Sequence, residues 1–200
     1  EILDAALKNR KEGKLILMTS ITPSQFGEGK TISTIGLSMA FNKLGKKSIA
    51  CIQQPSLGPV FGLKGGAAGG GQAQVLPPED VNLHLTGDDY AVENAQNLCA
   101  SFIDNSLFWG NPHGFAKDGV EWKRVMAMSD RALRNITIGG GGKLHGVSRK
   151  TGIDITANCE CMAILSLSDS LKSLRTRLGK IVVGFSKDGK PVTAETIKAA

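Results

Sequence analysis

The chain has 200 residues, 41% apolar and 21% charged, enough to bury a core as one large domain or two small ones. Its formal charge of +6 suits anionic small molecules, while scattered basic residues and a single Tyr argue against a nucleic-acid surface. No apolar run is long enough to span a bilayer and no signal peptide is visible, so a cytoplasmic protein without a membrane partner is expected.

The predicted elements alternate. A charged, amphipathic stretch holds a helix over 2–9, followed by an apolar strand over 15–20. Next comes Thr22-Pro23-Ser24-Gln25-Phe26-Gly27-Glu28-Gly29-Lys30-Thr31, and then a helix over 30–44 on which Ile32, Ile35, Met39 and Ala40 recur at helical spacing. Gly45 stops that helix. A strand, a Gly-rich turn ending in Gly-Lys-Thr and a helix is the layout of a phosphate-binding loop. Backbone N–H groups at a helix N-terminus, with a lysine beside them, suit nucleotide phosphates. The match is imperfect, because Ser24 stands where the usual pattern has its first glycine.

A strand is expected over 48–53. From Gly58 to Gly71 half the residues are glycine: 58, 62, 65, 66, 69, 70 and 71. Ordering such a run is entropically costly, which favours a loop that a ligand or another backbone must approach closely. Lys64, Pro59 and Phe61 set it apart from a Ser-rich linker. A strand over 81–85 carries His84, read as a core histidine, and is bracketed by Asp80 and Asp88, the latter being the better site candidate. A helix follows over 90–107, with Trp109 and Trp122 packing around the loop 110–119. A further helix is expected over 122–135, where Asp130 and Arg131 read as a structural ion pair. Strands over 136–138, 153–155 and 181–185 alternate with helices over 158–167 and 171–178. Gly139–Gly142 with Lys143 reads equally as a hairpin or a rim loop. His113 and His145 fall in exposed loops.

This alternation predicts an α/β fold, a mainly parallel sheet with helices on both faces, P-loop NTPase-like. Ligands bind such sheets at the carboxyl ends of the strands, which places 22–30, 53–71 and 86–89 on one rim. Cys51, Cys99, Cys159 and Cys161 lack zinc-ribbon spacing and read as reduced, buried thiols. The chain opens on Glu1 rather than Met and closes on 193–198, which reads as a helix just starting. Both features lead us to expect a piece of a larger protein.

Taken together the motifs resemble formate–tetrahydrofolate ligase. The residues that carry the resemblance are Ile21-Thr22-Pro23 leading into Gly27-Glu28-Gly29-Lys30-Thr31, then Pro55-Ser56-Leu57-Gly58-Pro59, and above all the run Gly62-Leu63-Lys64-Gly65-Gly66-Ala67-Ala68-Gly69-Gly70-Gly71. Asn82-Leu83-His84-Leu85-Thr86-Gly87-Asp88, Asp130 through Ile136, Asp154-Ile155-Thr156 and Lys187 through Thr193 also fit. The resemblance covers nearly all of 1–200 and implies a partial N-terminal nucleotide-binding domain. It implies ATP-dependent joining of formate to tetrahydrofolate through formyl phosphate, giving 10-formyltetrahydrofolate. ATP, Mg²⁺ and a monovalent cation would be needed, and the full-length family suggests a homo-oligomer.

By resemblance, Thr22, Gly27, Glu28, Gly29, Lys30 and Thr31 bind ATP, with Thr31 offering a hydroxyl to Mg²⁺. Gly62, Gly65, Gly66, Gly69, Gly70, Gly71 and Asp88 form the substrate loop, and Lys30, Lys64 and Gln53 stand at catalytic positions. The chain departs from the family in several places. The family has Arg-Glu where Gln53-Gln54 stand, and Gln lacks the bidentate charge that holds an oxyanion. Gln72 replaces a Tyr, Asp89-Tyr90 replaces Ile-His, and Asn158-Cys159-Glu160 replaces Ala-Ser-Glu. These departures leave a second reading, a catalytically impaired nucleotide-binding or oligomerising module, with compensation by Lys64 as the counter-argument. A general P-loop ATPase of the partitioning or dethiobiotin-synthetase type would share the fold but would leave 62–71 unexplained.

Overall fold

The computed structural model describes residues 12–22, 27–52, 68–83 and 87–200. The predicted helix over 2–9, most of 53–71, and His84 lie outside them.

Helix α1, Lys30–Lys43, begins and ends on glycines in left-handed conformations, Gly29 at φ 67° and Gly45 at φ 72°. At its C-terminus the Gly45 N–H reaches the Asn42 carbonyl and the Lys46 N–H reaches that of Phe41, at 3.0 and 2.9 Å. This is the paired hydrogen-bond closure that a left-handed residue after a helix permits. Strands β1, Gly69–Gly70, and β2, Ala73–Gln74, form a short antiparallel hairpin. Helix α2 follows at Pro78–Leu83 and helix α3 at Asp88–Phe108.

The remainder is β3, Phe115–Val120; β4, Arg124–Met126; β5, Ile136–Ile138; β6, Arg149–Thr151; β7, Ile153–Ile155; α4, Glu160–Leu167; α5, Leu171–Gly179; β8, Val182–Ser186; and β9, Pro191–Thr193. Short 3₁₀ turns occupy Arg131–Leu133, Lys143–His145 and Thr156–Asn158. Strands β3, β8 and β9 form one antiparallel sheet, and β5–β6 is a separate antiparallel hairpin. Only β4 and β7 pair in parallel among the described residues, with Val125 opposite Asp154.

The fold is therefore mixed α/β, but the expected mainly parallel sheet is not what these strands form. Residues 15–20 and 48–52 adopt no strand among the described residues, because no neighbouring described strand offers them a ladder. Residues 81–83 are helical rather than extended. Pro78 opens that helix at the position where its missing N–H costs nothing, and Glu79 and Asp80 fill its first turn. The predicted helix over 122–135 is instead β4 followed by a 3₁₀ turn. There the Asp130 carboxylate accepts the Ala132 N–H at 2.8 Å, a cap in place of the expected ion pair with Arg131. Residues 194–198 form hydrogen-bonded turns rather than the start of a helix.

The main core joins α3 to the strands after it. Ile103, Ala100, Val183 and Phe115 are at most 1% exposed, and Trp122, Val125, Cys99, Cys161 and Met162 pack with them. Trp122 is thus a core residue whose Nε1 donates to the Gln96 carbonyl at 3.0 Å, while Trp109 stands largely in solvent, so the two do not share the loop expected of them.

Helix α3 does more than cover β4. The N–H and C=O of one residue point to the same side of a strand, and alternate residues share that side. On the side of β4 away from β7, Lys123 C=O accepts from Gln96 Nε2, Val125 N–H donates to Asn97 Oδ1 while Val125 C=O accepts from Asn97 Nδ2, and Ala127 N–H donates to Glu93 Oε2. Glu93, Gln96 and Asn97 lie at i, i+3 and i+4, one face of the helix. Their side chains replace a neighbouring strand. The Asn97→Ala variant should lose about 1–3 kcal/mol, because buried Val125 would keep an unpaired N–H and C=O. Urea unfolding and faster exchange of the Val125 amide are the measurements.

Candidate functional site

Residues 27–31 carry the predicted phosphate loop. Gly27 has φ 84° and Gly29 φ 67°, conformations that a side chain would strain. Gly29 is also the N-cap of α1 and brings no side chain to cap the first-turn N–H groups, and that turn holds no acidic residue. The helix begins with the Ser33 N–H on the Gly29 carbonyl at 2.7 Å. Uncapped donors and the positive end of the helix dipole face outward together.

Lys30 Nζ lies 2.6 Å from Glu28 Oε2, with the lysine side chain 47% and the glutamate 19% exposed. The half-buried Thr31 hydroxyl makes no hydrogen bond among the described residues, whereas Thr34 Oγ1 bonds back to the Lys30 carbonyl at 2.9 Å. Thr22 is exposed and its carbonyl accepts from Ser20 Oγ.

The end of the glycine-rich run meets this helix. A Cβ on Gly69 would strike the Ala73 carbonyl oxygen and come within 2.8 Å of Ile35 Cδ1. One on Gly70 would sit 3.7 Å from Ile32 Cδ1, and Gly36 lies against the Ala73 methyl. Ile32, Ile35 and Gly36 belong to the first two turns of α1, directly after Lys30. Gly71, at φ 59°, makes the turn of the hairpin. The two motifs most separated in composition are therefore neighbours in space.

Gln53, Lys64, Gly62, Gly65 and Gly66 lie outside the described residues. Asp88 is exposed and opens α3, where the helix dipole favours a carboxylate; the partner of Lys30 is Glu28. That pairing was not predicted, although the two-residue spacing in Gly-Glu-Gly-Lys holds the signal.

A second concavity of about 410 Å³ lies by β4 and β7, bordered by Lys123, Asp130, Arg134, Asp154, Cys159 and Glu160. Lys123 and Asp154 pair across it at 3.3 Å. Asp130 follows β4 and Glu160 opens the helix after β7, whereas Lys123 precedes β4, so the hollow runs along the parallel pair.

Cys99, Cys159 and Cys161 are buried and free, as expected, while Cys51 is exposed. Burial pushes Cys99 up to about 11 and Cys161 up to about 12, and raises Cys159, so none is poised as a thiolate nucleophile. No group of three or more metal-ligating side chains occurs among the described residues. No described helix is long and apolar enough to cross a membrane.

The family model for formate–tetrahydrofolate ligase matches residues 1–200. Curated relatives of that name are 54% identical over 193 residues in Methylobacillus flagellatus, 55% over 192 in Desulforamulus reducens and 51% over 199 in Pelagibacter ubique. These alignments take in 96%, 96% and 100% of this chain but only 35%, 34% and 35% of the relatives. The chain spans about a third of the length of the proteins it matches. Matched from end to end, with the glycine hairpin packed on the helix that Lys30 opens, the chain belongs to the formate–tetrahydrofolate ligase family.

Proposed function

We propose that the protein containing this chain uses ATP to ligate formate to tetrahydrofolate, and that the chain supplies the turn that grips the triphosphate. The observation supporting this reading is the seating of Gly69–Gln74 against Ile32, Ile35 and Gly36 in the first two turns of α1, the helix that Lys30 opens. A formate oxygen would attack the γ-phosphorus, forming one P–O bond while the bond to ADP breaks. The folate N10 would then attack the formyl carbon, phosphate would leave with the C–O bonding pair, and the nitrogen would lose its proton.

Phosphoryl transfer needs position and positive charge more than covalent help. Lys30 would neutralise the phosphates and Gly27 to Gly29 would offer backbone donors. The Thr31 hydroxyl would help hold Mg²⁺, which would supply positive charge to the phosphates. Lys64 and the glycines from Gly62 to Gly71 would close over the group being transferred. The exposed apolar residues Leu15, Leu17 and Ile49, 79–94% exposed, support a finer reading in which 15–20 and 48–52 are strands of a P-loop-type sheet in the whole protein. A cytoplasmic homo-oligomer using a monovalent cation completes the proposal.

The test is formation of 10-formyltetrahydrofolate from ATP, formate and tetrahydrofolate by the full-length protein. Lys30→Ala should abolish ATP binding measured calorimetrically. If that variant binds ATP as tightly as the parent, the assignment of the loop is wrong.

A further inference from the structure

Within the phosphate turn, Glu28 holds the ammonium of Lys30 at 2.6 Å across the intervening Gly29. This is the cation on which the nucleotide site depends, so the inference rests on the reading under Proposed function. The glutamate is the more buried partner, at 19% against 47% exposure, and the lysine tip remains accessible. No first-turn residue of α1 carries a negative charge, and the N-cap has no side chain. The carboxylate of Glu28 is therefore the anion placed to occupy Lys30 before phosphate arrives.

We propose that Glu28 is a positioning residue that acts as a stand-in anion: it holds Lys30 beside the helix N-terminus in the nucleotide-free loop, and the phosphates of ATP must displace it. Two physical consequences follow. An anion approaching the turn meets a neutralised lysine and a carboxylate that repels it, so binding is weaker than the bare Lys30 and helix dipole would give. A like-charged free phosphate or pyrophosphate is resisted in the same way, and a polyanion with more contacts to the loop competes best for the lysine. The device thus selects for a triphosphate over smaller anions.

The test is calorimetric titration of the full-length protein and of Glu28→Gln with Mg-ATP, and with inorganic phosphate as the small anion, at low and at high ionic strength. Glutamine keeps the shape and removes the charge. Glu28→Gln is expected to bind Mg-ATP about three- to tenfold more tightly, to gain relatively more for inorganic phosphate, and to lose most of this advantage at high salt. A merely structural role would weaken binding when the pair is broken. Affinity for Mg-ATP that is unchanged or lower in Glu28→Gln, with Lys30→Ala still abolishing binding in the parent background, overturns the proposal while leaving the nucleotide site standing. A parent that binds no ATP, or a Lys30→Ala variant that binds like the parent, overturns the nucleotide reading and this inference with it. Glu28→Ala, which shares the lost charge but not the shape, should tighten Mg-ATP binding in the same direction.

Discussion

Replacing Asp104 by Asn should destabilise the chain by about 3 kcal/mol, the low end of the range for an orphaned buried charge. Asp104 projects from α3 and its two oxygens serve two guanidiniums, Arg124 from β4 at 2.8 Å and Arg149 from β6 at 2.7 Å. The Arg149 side chain is only 8% exposed and its Nε already lacks a hydrogen-bond partner. Asn keeps the shape but leaves two adjacent positive charges, one of them buried, with no counter-charge. The asymmetry is a sharper check than the loss itself. Arg149→Met removes the buried charge along with its salt bridge, so it should cost well under half as much as Asp104→Asn. Adding Arg149→Met to Asp104→Asn should restore part of the stability. Urea denaturation of the four proteins measures this; equal losses in the two single variants would refute the account.

Restoring arginine at position 53 should have the largest effect on rate. The family resemblance implies Arg where this chain has Gln53, and a guanidinium can hold two oxygens of formate or formyl phosphate at once. One charge-assisted contact made in the transition state is worth about 2.7–4 kcal/mol, or roughly 10²–10³ in turnover. Gln53→Arg is therefore expected to raise formate-dependent release of ADP by that factor, with little change in ATP affinity, because the contact serves formate rather than the nucleotide. Unchanged turnover would mean that another cation, Lys64 being the first to examine, already holds the oxyanion. Formate-independent ADP release in both proteins would favour the impaired-module reading.

The elements that the sequence revealed are those whose evidence is local. Helix α1 showed in Ile32, Ile35 and Met39 and in the glycine after it, and α3, α4 and α5 showed in the same periodicity. The strands 136–138 and 153–155 alternate isoleucine with a polar residue and 181–185 is a short apolar run, and the structure has a strand at each place. The misreadings share a cause. Trp122 and Val125 are apolar three apart, which reads as a helix, but Arg124–Met126 is extended because it pairs with Ile153–Ile155, some thirty residues away. No local pattern encodes that partner. Val81, Leu83 and Leu85 alternate as a strand would, whereas Pro78 followed by Glu79 and Asp80 is the stronger signal of a helix start.

The candidate site was legible where chemistry is written in residue type. Gly29, Lys30 and Thr31 lie at a helix N-terminus, as their order implied. The contact between that helix and Gly69–Gln74 joins segments some forty residues apart, and the expectation that 22–30 and 53–71 share one rim pointed to it, although the parallel sheet behind that expectation is not what the described strands form. Glu28 was read as a phosphate-loop residue, not as the partner of Lys30, because a short-range pairing between side chains on a turn depends on backbone angles that glycine leaves open.

The amide and carboxylate side chains of α3 have a directional effect on how the β4–β7 sheet can be enlarged. With the Lys123 carbonyl, both backbone groups of Val125 and the Ala127 N–H served by Gln96, Asn97 and Glu93, the centre of that margin is closed to an incoming strand. An additional strand, whether from elsewhere in the longer protein or from a second molecule, is favoured to join beyond β7. A helix has made the sheet one-sided in its growth, and the same side chains that hold the core together also protect it from edge-on aggregation.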